Sequence, residues 1–243
     1  MKIAKWVFKL LPVLVGYYVM CKIYRFRKGK MSEVKLYRRL RKYILRVVGV
    51  LGIEYVVEGE ENIPLEDSFL LTPNHASLVD PLTFFVLSRD PVGFACKKSI
   101  KHYPLVKDFI YLIDGVYLDR GNLKQEIRVM KDIQEVMLDR HIGYIVFPEG
   151  TRTKSPELTM NEFKPGAFKF TMKIDKCVVP VCIYGSHRVF DKKIKDRKYP
   201  IYVSFLPPVR SEDYASMSTN ELSRKVQEAI EARLERYKKE ICF

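Results

Sequence analysis

The stretch SFLLTPNHASLVDPLTFFVL, Ser68 to Leu87, reads as strand, loop and helix. Phe69 to Leu71 form a short apolar run before a proline, which suits a buried strand. Pro81 fits the first position of a helix. Asp80 fits the N-cap before it, since the residue preceding proline avoids helical geometry. His75 then lies in the loop leaving the strand, and Asp80 at the mouth of the helix.

The same alternation continues along the chain. IEYVVEG, VGFAC, GVYLD, GYIVFPEG, VVPVCIY and IYVSFL are further candidate strands, rich in Val, Ile, Tyr and Phe. Between and after them, Leu123, Ile127, Met130, Ile133, Val136 and Met137 recur at helical spacing, as do Leu222, Val226, Ile230, Leu234 and Tyr237. Residues 53–243 are therefore expected to form an α/β domain, a mostly parallel central sheet flanked by helices. Functional groups in such sheets gather at the carboxyl ends of strands.

The charge is unevenly placed. Of a net +14, residues 1–52 carry fourteen Lys and Arg against the single acid Glu33, while the rest of the chain holds 29 basic and 28 acidic residues. A nucleic-acid enzyme would spread basic surface along the groove that tracks phosphates, so a nucleic-acid partner is not expected. Residues 1–52 are expected to form a two-helix membrane-anchoring module. Leu10 to Cys21 is an apolar run of 12 residues flanked by lysines, with no small-residue cleavage site after it. Twelve helical residues cover about 18 Å against a hydrocarbon core of roughly 30 Å, but Trp6 to Tyr24 approaches a full span. Monotopic and single-span insertion both remain open. In the next segment Leu36, Tyr37, Leu40, Tyr43, Ile44, Val47, Val48 and Leu51 form an apolar stripe. Taken alone, the basic residues around it suit a helix lying at an anionic lipid surface or a core-packing helix with a solvated face; beside the apolar, aromatic-rich segment before it, the membrane surface is the expected one.

The five cysteines are scattered without paired spacing, which argues against a disulfide framework and a zinc site; no metal is expected. A carboxylate on one ring nitrogen of His75 would fix its tautomer, leave the other nitrogen as a base, and stabilise the imidazolium. The bland alternative is a helix cap beside a loop histidine. Ser77 has no nucleophile elbow around it and is read as a loop residue. In FPEGTRT, Phe147 to Thr153, Gly150 allows close backbone approach, Thr151 and Thr153 supply hydroxyls, and Arg152 supplies a planar fork for phosphate. Arg120 follows one strand, and Lys97 and Lys98 follow another.

The ordered set NHASLVD, DGVYLDR, FPEGTR and VVPVCIYGS resembles the glycerolipid acyltransferase family, in particular the 1-acyl-sn-glycerol-3-phosphate acyltransferases of the PlsC type, over roughly residues 55–206. The resemblance implies transfer of an acyl chain from acyl-CoA or acyl-carrier protein to the sn-2 hydroxyl of lysophosphatidic acid, forming phosphatidic acid without a cofactor. It makes His75 the general base and Asp80 its orienter. It gives Lys97 and Arg120 a part in holding phosphate, and Glu149, Gly150, Thr151 and Arg152 a part in acceptor binding. Val179, Pro180 and Val181 correspond to the block linked to the acyl chain. Ser99 departs from the family's acidic position, so the choice between Lys97 and Lys98 stays open, and His187 reads as incidental. The implied partners are membrane lipids and the acyl donor, at the cytoplasmic face of the membrane. Other readings are a different acceptor such as a lyso-ornithine lipid or glycerol-3-phosphate, a non-catalytic lipid-binding protein, or covalent transfer through Cys96.

Overall fold

All seven segments expected as strands enter one sheet. The computed structural model describes residues 2–64, 66–118, 123–155, 157–191, 193–194 and 196–241. The chain opens with α1 (Lys2–Arg27) and α2 (Glu33–Leu51) and continues through β1 (Ile53–Glu58), β2 (Phe69–Pro73) and α3 (Asp80–Leu87). Then come β3 (Gly93–Lys97), α4 (Pro104–Leu112), β4 (Val116–Leu118), α5 (Leu123–Arg140), β5 (Tyr144–Val146) and α6 (Gly166–Met172). The chain closes with β6 (Cys177–Tyr184), β7 (Tyr199–Phe205), α7 (Ser211–Tyr214) and α8 (Thr219–Glu240).

The strand order is β1-β7-β6-β2-β5-β3-β4. Strands β2 to β6 run the same way, so β2, β3, β4, β5 and β6 share one carboxyl-terminal edge. β7 is antiparallel to β6, and β1 is parallel to β7, so this pair runs against the rest. Pro180 stands inside β6 although it cannot donate to a ladder. The step from Val178 to Val181 is matched by the longer step from Phe205 to Val209, a bulge in which no N–H is required of Pro180.

Helices cover both faces. On one side Leu40, Ile44, Phe84, Phe109 and Ile110 pack against Leu71, Val179, Val181 and Ile201. On the other, Ile133, Met137, Phe168, Leu222, Val226, Ile230 and Leu234 pack against Leu70, Tyr144, Val178 and Cys182. Each such side chain, fully buried, contributes up to about 1.5–3 kcal/mol. α8 starts at a capping box: Glu221 N–H donates to Ser218 Oγ, and Ser218 N–H donates to Glu221 Oε2 at 2.7 Å.

The N-terminal hairpin forms, and it is part of the body. Met20, Cys21 and Tyr24 of α1 belong to the same apolar cluster as the sheet, and Lys22 and Arg25 both reach Asp108 of α4 at 2.7 Å. The stripe of α2 faces protein rather than lipid: Leu36, Tyr37, Leu40, Ile44, Val48 and Leu51 are buried. Its core contacts account for the apolar spacing that a membrane surface would also have explained. α2 ends at Gly52, whose φ of 74° and close approach to the Arg197 carbonyl exclude a side chain. No helix among the described residues is long and apolar enough to cross a membrane. The apolar residues of α1 are divided instead between a packed face and an exposed one.

Candidate active site

The β2–α3 loop folds around one carboxylate. Asp80 Oδ2 lies 2.8 Å from His75 Nδ1 and accepts the Ala76 and Ser77 N–H groups, each at 2.7 Å. Asp80 is fully buried. Its side chain therefore turns back into the loop, and the helix begins at Asp80 itself with Val79 before it, one residue earlier than the proline rule implies. Asp80 is not the helix cap. Ser77 serves the loop: its Oγ accepts the Val79 N–H at 3.4 Å.

A carboxylate on Nδ1 requires the proton there, which leaves Nε2 with its lone pair. The ring lies against Phe147, centroids 4.3 Å apart, and Phe147 in turn meets Phe84 and Phe94. Only 17% of the His75 side chain is exposed, so the imidazole is mostly buried against this aromatic wall.

The second motif grips the first through its backbone. β5 ends at Val146, sooner than its apolar run suggests, because Pro148 lacks a donor and Gly150 N–H turns back to the Phe147 carbonyl at 3.0 Å. Gly150 takes φ 69°, the left-handed region that favours glycine. The turn sends Glu149 inward. Its Oε1 accepts the His75 N–H at 2.6 Å, and Thr153 N–H donates to the His75 carbonyl at 2.8 Å. Both backbone groups of His75 are thus held by residues that follow β5.

Glu149 is 1% exposed. Its Oε2 accepts the Asn161 N–H at 2.8 Å and Asn161 Nδ2–H at 2.9 Å. Burial pushes this carboxyl above its ordinary range, against the pull of those donors and of His75. Asn74 performs a parallel task across the sheet: its Nδ2 donates to the Ile183 carbonyl at 3.0 Å and its Oδ1 accepts the Ile183 N–H at 2.7 Å.

Several expected residues meet here. His75, Asp80, Glu149 and Gly150 are joined by the contacts above. Thr151 and Arg152 are exposed on the turn beyond them, and Lys97 is exposed at the end of β3 on the same edge. Val179, Pro180 and Val181 are buried within β6. Arg120 lies outside the described residues. His187, on the turn after β6, is not remote: burial lowers its pKa, and Asp80 is among the charges that reach it. Cys96 is buried, its thiol pushed up to about 12, which leaves little thiolate for a nucleophile at neutral pH. Sequence reasoning missed Asn74, Phe147 and Asn161 as parts of the site. Asn74 and Phe147 stand inside the quoted motifs, but Asn161 is 12 residues beyond Glu149 and carries no local signal.

The arrangement can remove a proton from a hydroxyl brought to Nε2, with the imidazolium stabilised by Asp80. Known proteins similar to this chain are named as acyltransferases. A 1-acyl-sn-glycerol-3-phosphate acyltransferase of Limnanthes douglasii is 30% identical over 171 residues, 69% of this chain and 59% of the plant protein. The Saccharomyces cerevisiae protein of the same name is 31% identical over 187 residues, 74% of this chain and 60% of its own length. The chain thus spans about six-tenths of these two relatives. The crystal structure of the 1-acyl-sn-glycerophosphate acyltransferase PlsC from Thermotoga maritima superposes with a TM-score of 0.70 at 25% identity, covering 98% of both chains. The sequence profile of the family described as Acyltransferase matches residues 54–184, from β1 through the loop dyad and the FPEGTR turn to the end of β6, and the chain belongs to that family.

Proposed function

We propose that the protein transfers an acyl chain from an acyl thioester to the sn-2 hydroxyl of 1-acyl-glycerol-3-phosphate, forming phosphatidic acid. The observation that carries this reading is the His75–Asp80 contact at 2.8 Å, in which a buried carboxylate fixed by two further N–H groups holds the ring. His75 Nε2 takes the proton of the acceptor hydroxyl as its oxygen attacks the thioester carbon. The carbon–sulfur bond then breaks, and the thiol of CoA or of the acyl-carrier protein leaves with a proton returned from the imidazolium. A phosphate-bearing acceptor suits the cations of this edge: Lys97 and Arg152 by position, and Arg120 by its place in the family's order of motifs. Both substrate and product are bilayer lipids, and the exposed face of α1 offers the surface on which to meet them. Phe8, Leu11, Val15, Tyr18, Val19, Ile23 and Phe26 are all exposed, at spacings of one helical face. Exposed Lys9, Lys35, Arg38, Lys42 and Arg46 favour anionic head groups. The protein would lie on the membrane without spanning it.

The test is acyl transfer to lysophosphatidic acid in vesicles, wild type against His75→Ala. Phosphatidic acid formation should fall by about 10²- to 10⁴-fold in the variant, the usual contribution of a general base. Equal rates would reduce the dyad to a loop contact, and an inactive wild type would break the assignment of acceptor or donor.

A further inference from the structure

We infer that Asn161 is a positioning residue for acyl transfer, acting through Glu149 on the backbone of His75. The inference rests on the proposed role of His75 as the base. Glu149 belongs to the FPEGTR motif, where the family resemblance assigns acceptor binding, yet its carboxylate is 1% exposed and both oxygens already receive protein donors. One oxygen holds the His75 N–H. The other is held twice by Asn161, through backbone and side chain, and Asn161 Nδ2 also reaches the Thr151 carbonyl at 3.3 Å. One carboxamide therefore ties the carboxylate to the turn that carries Thr151 and Arg152. A buried carboxylate facing donors on both sides has one low-energy orientation. Remove the carboxamide and the carboxylate keeps its charge but loses half of what aims its second oxygen. His75 is the residue that must stay within hydrogen-bond reach of the acceptor hydroxyl, and small misplacements of a reacting group cost rate steeply. The surface cations then serve the acceptor phosphate, and Glu149 serves the base.

The inference predicts a split between turnover and binding. In the full-length chain, Asn161→Ala should lower kcat about tenfold while the KM for lysophosphatidic acid stays within about twofold, since the acceptor is not touched. Amide hydrogen exchange across Asn74 to Asp80 should quicken in the same variant. Unchanged kcat with unchanged exchange would overturn the inference, and so would a raised KM at constant kcat, which would put Glu149 on the acceptor. A reciprocal exchange guards against a merely structural loss. Glu149→Gln and Asn161→Asp should each depress kcat, one by facing donors with a donor and the other by facing a carboxylate with a carboxylate. Combined, the glutamine oxygen can accept the His75 N–H while its NH2 donates to the aspartate, and only the backbone N–H of residue 161, which Glu149 Oε2 accepts at 2.8 Å, loses its acceptor. The double variant should therefore exceed the product of the single effects without regaining full turnover. Plain multiplication of the two losses would defeat the inference even if Asn161→Ala failed to fold. Should the wild type prove inactive on lysophosphatidic acid, the proposed function fails, and the exchange measurement still reads the clamp.

Discussion

The carboxyl edge of the sheet and the exposed face of α1 depart from ordinary burial in opposite directions. At the edge, Asp80 and Glu149 are 0% and 1% exposed, charged groups taken out of water. On α1, Phe8 and Phe26 are 83% and 81% exposed, large apolar groups left in it. A buried carboxylate is tolerable only when N–H donors replace its water, and both carboxylates have them from their own chain. An exposed apolar face is relieved only when something covers it, and among the described residues nothing of this chain lies over that face of α1. The edge carboxylates are gripped by donors of this chain, with only Asp80 Oδ1 left without one; the hairpin face is left open.

That contrast can be broken at three points. Asp80→Asn at the edge should have the largest effect, lowering kcat on lysophosphatidic acid by about 10²-fold or more, because a neutral amide does not stabilise the imidazolium. A loss under threefold would make Asp80 a loop former only. On the hairpin, Phe8→Ser combined with Phe26→Ser should weaken cosedimentation with anionic vesicles by more than about tenfold, given roughly 2 kcal/mol for each ring withdrawn from water. Activity on detergent-dispersed acceptor should persist. Equal loss in both assays would show that the two rings matter to the fold and not to the surface. The smallest effect is expected where the regions join. Burial pushes the Asp108 carboxyl up, but the hydrogen bonds from Lys22 and Arg25 outweigh it and hold the group below its ordinary range. A lowered folded pKa means stability present above the ordinary value near 3.9 and lost as pH falls through the depressed one. Lys22 and Arg25 are partly exposed and so partly screened. Asp108→Asn should therefore cost only about 1 kcal/mol at pH 7, roughly 3 °C in Tm, the gap between the two melting curves closing as pH falls below about 4.

Much of the fold was legible because strands and helices leave periodic marks. The seven apolar runs became the seven strands, and the stripe from Leu123 to Met137 became α5. The direction of β1 and β7 was not legible, since an antiparallel pair on an otherwise parallel sheet leaves no local trace. Amphipathic α2 carried one pattern for two environments, and tertiary packing chose the core. In the site, His75 and Asp80 could be paired from a five-residue spacing, but what the carboxylate binds besides the ring could not. The partnership of Glu149 with His75 crosses 74 residues and goes through a backbone N–H, to which every sequence contributes alike. Asn161 was hidden for a similar reason: only folding brings its amide to Glu149.

The strand order also bears on how the chain is made. β1 sits at the sheet edge and pairs with β7 alone, so Ile53 waits for Tyr199. At about 5–20 residues per second, a ribosome takes roughly seven to thirty seconds to supply that partner. During this interval the hairpin is already outside the ribosome, its apolar and basic residues free to settle on a nearby bilayer. The β1 edge thus closes only after the five strands that carry the catalytic edge have been made, with α8 still to follow β7.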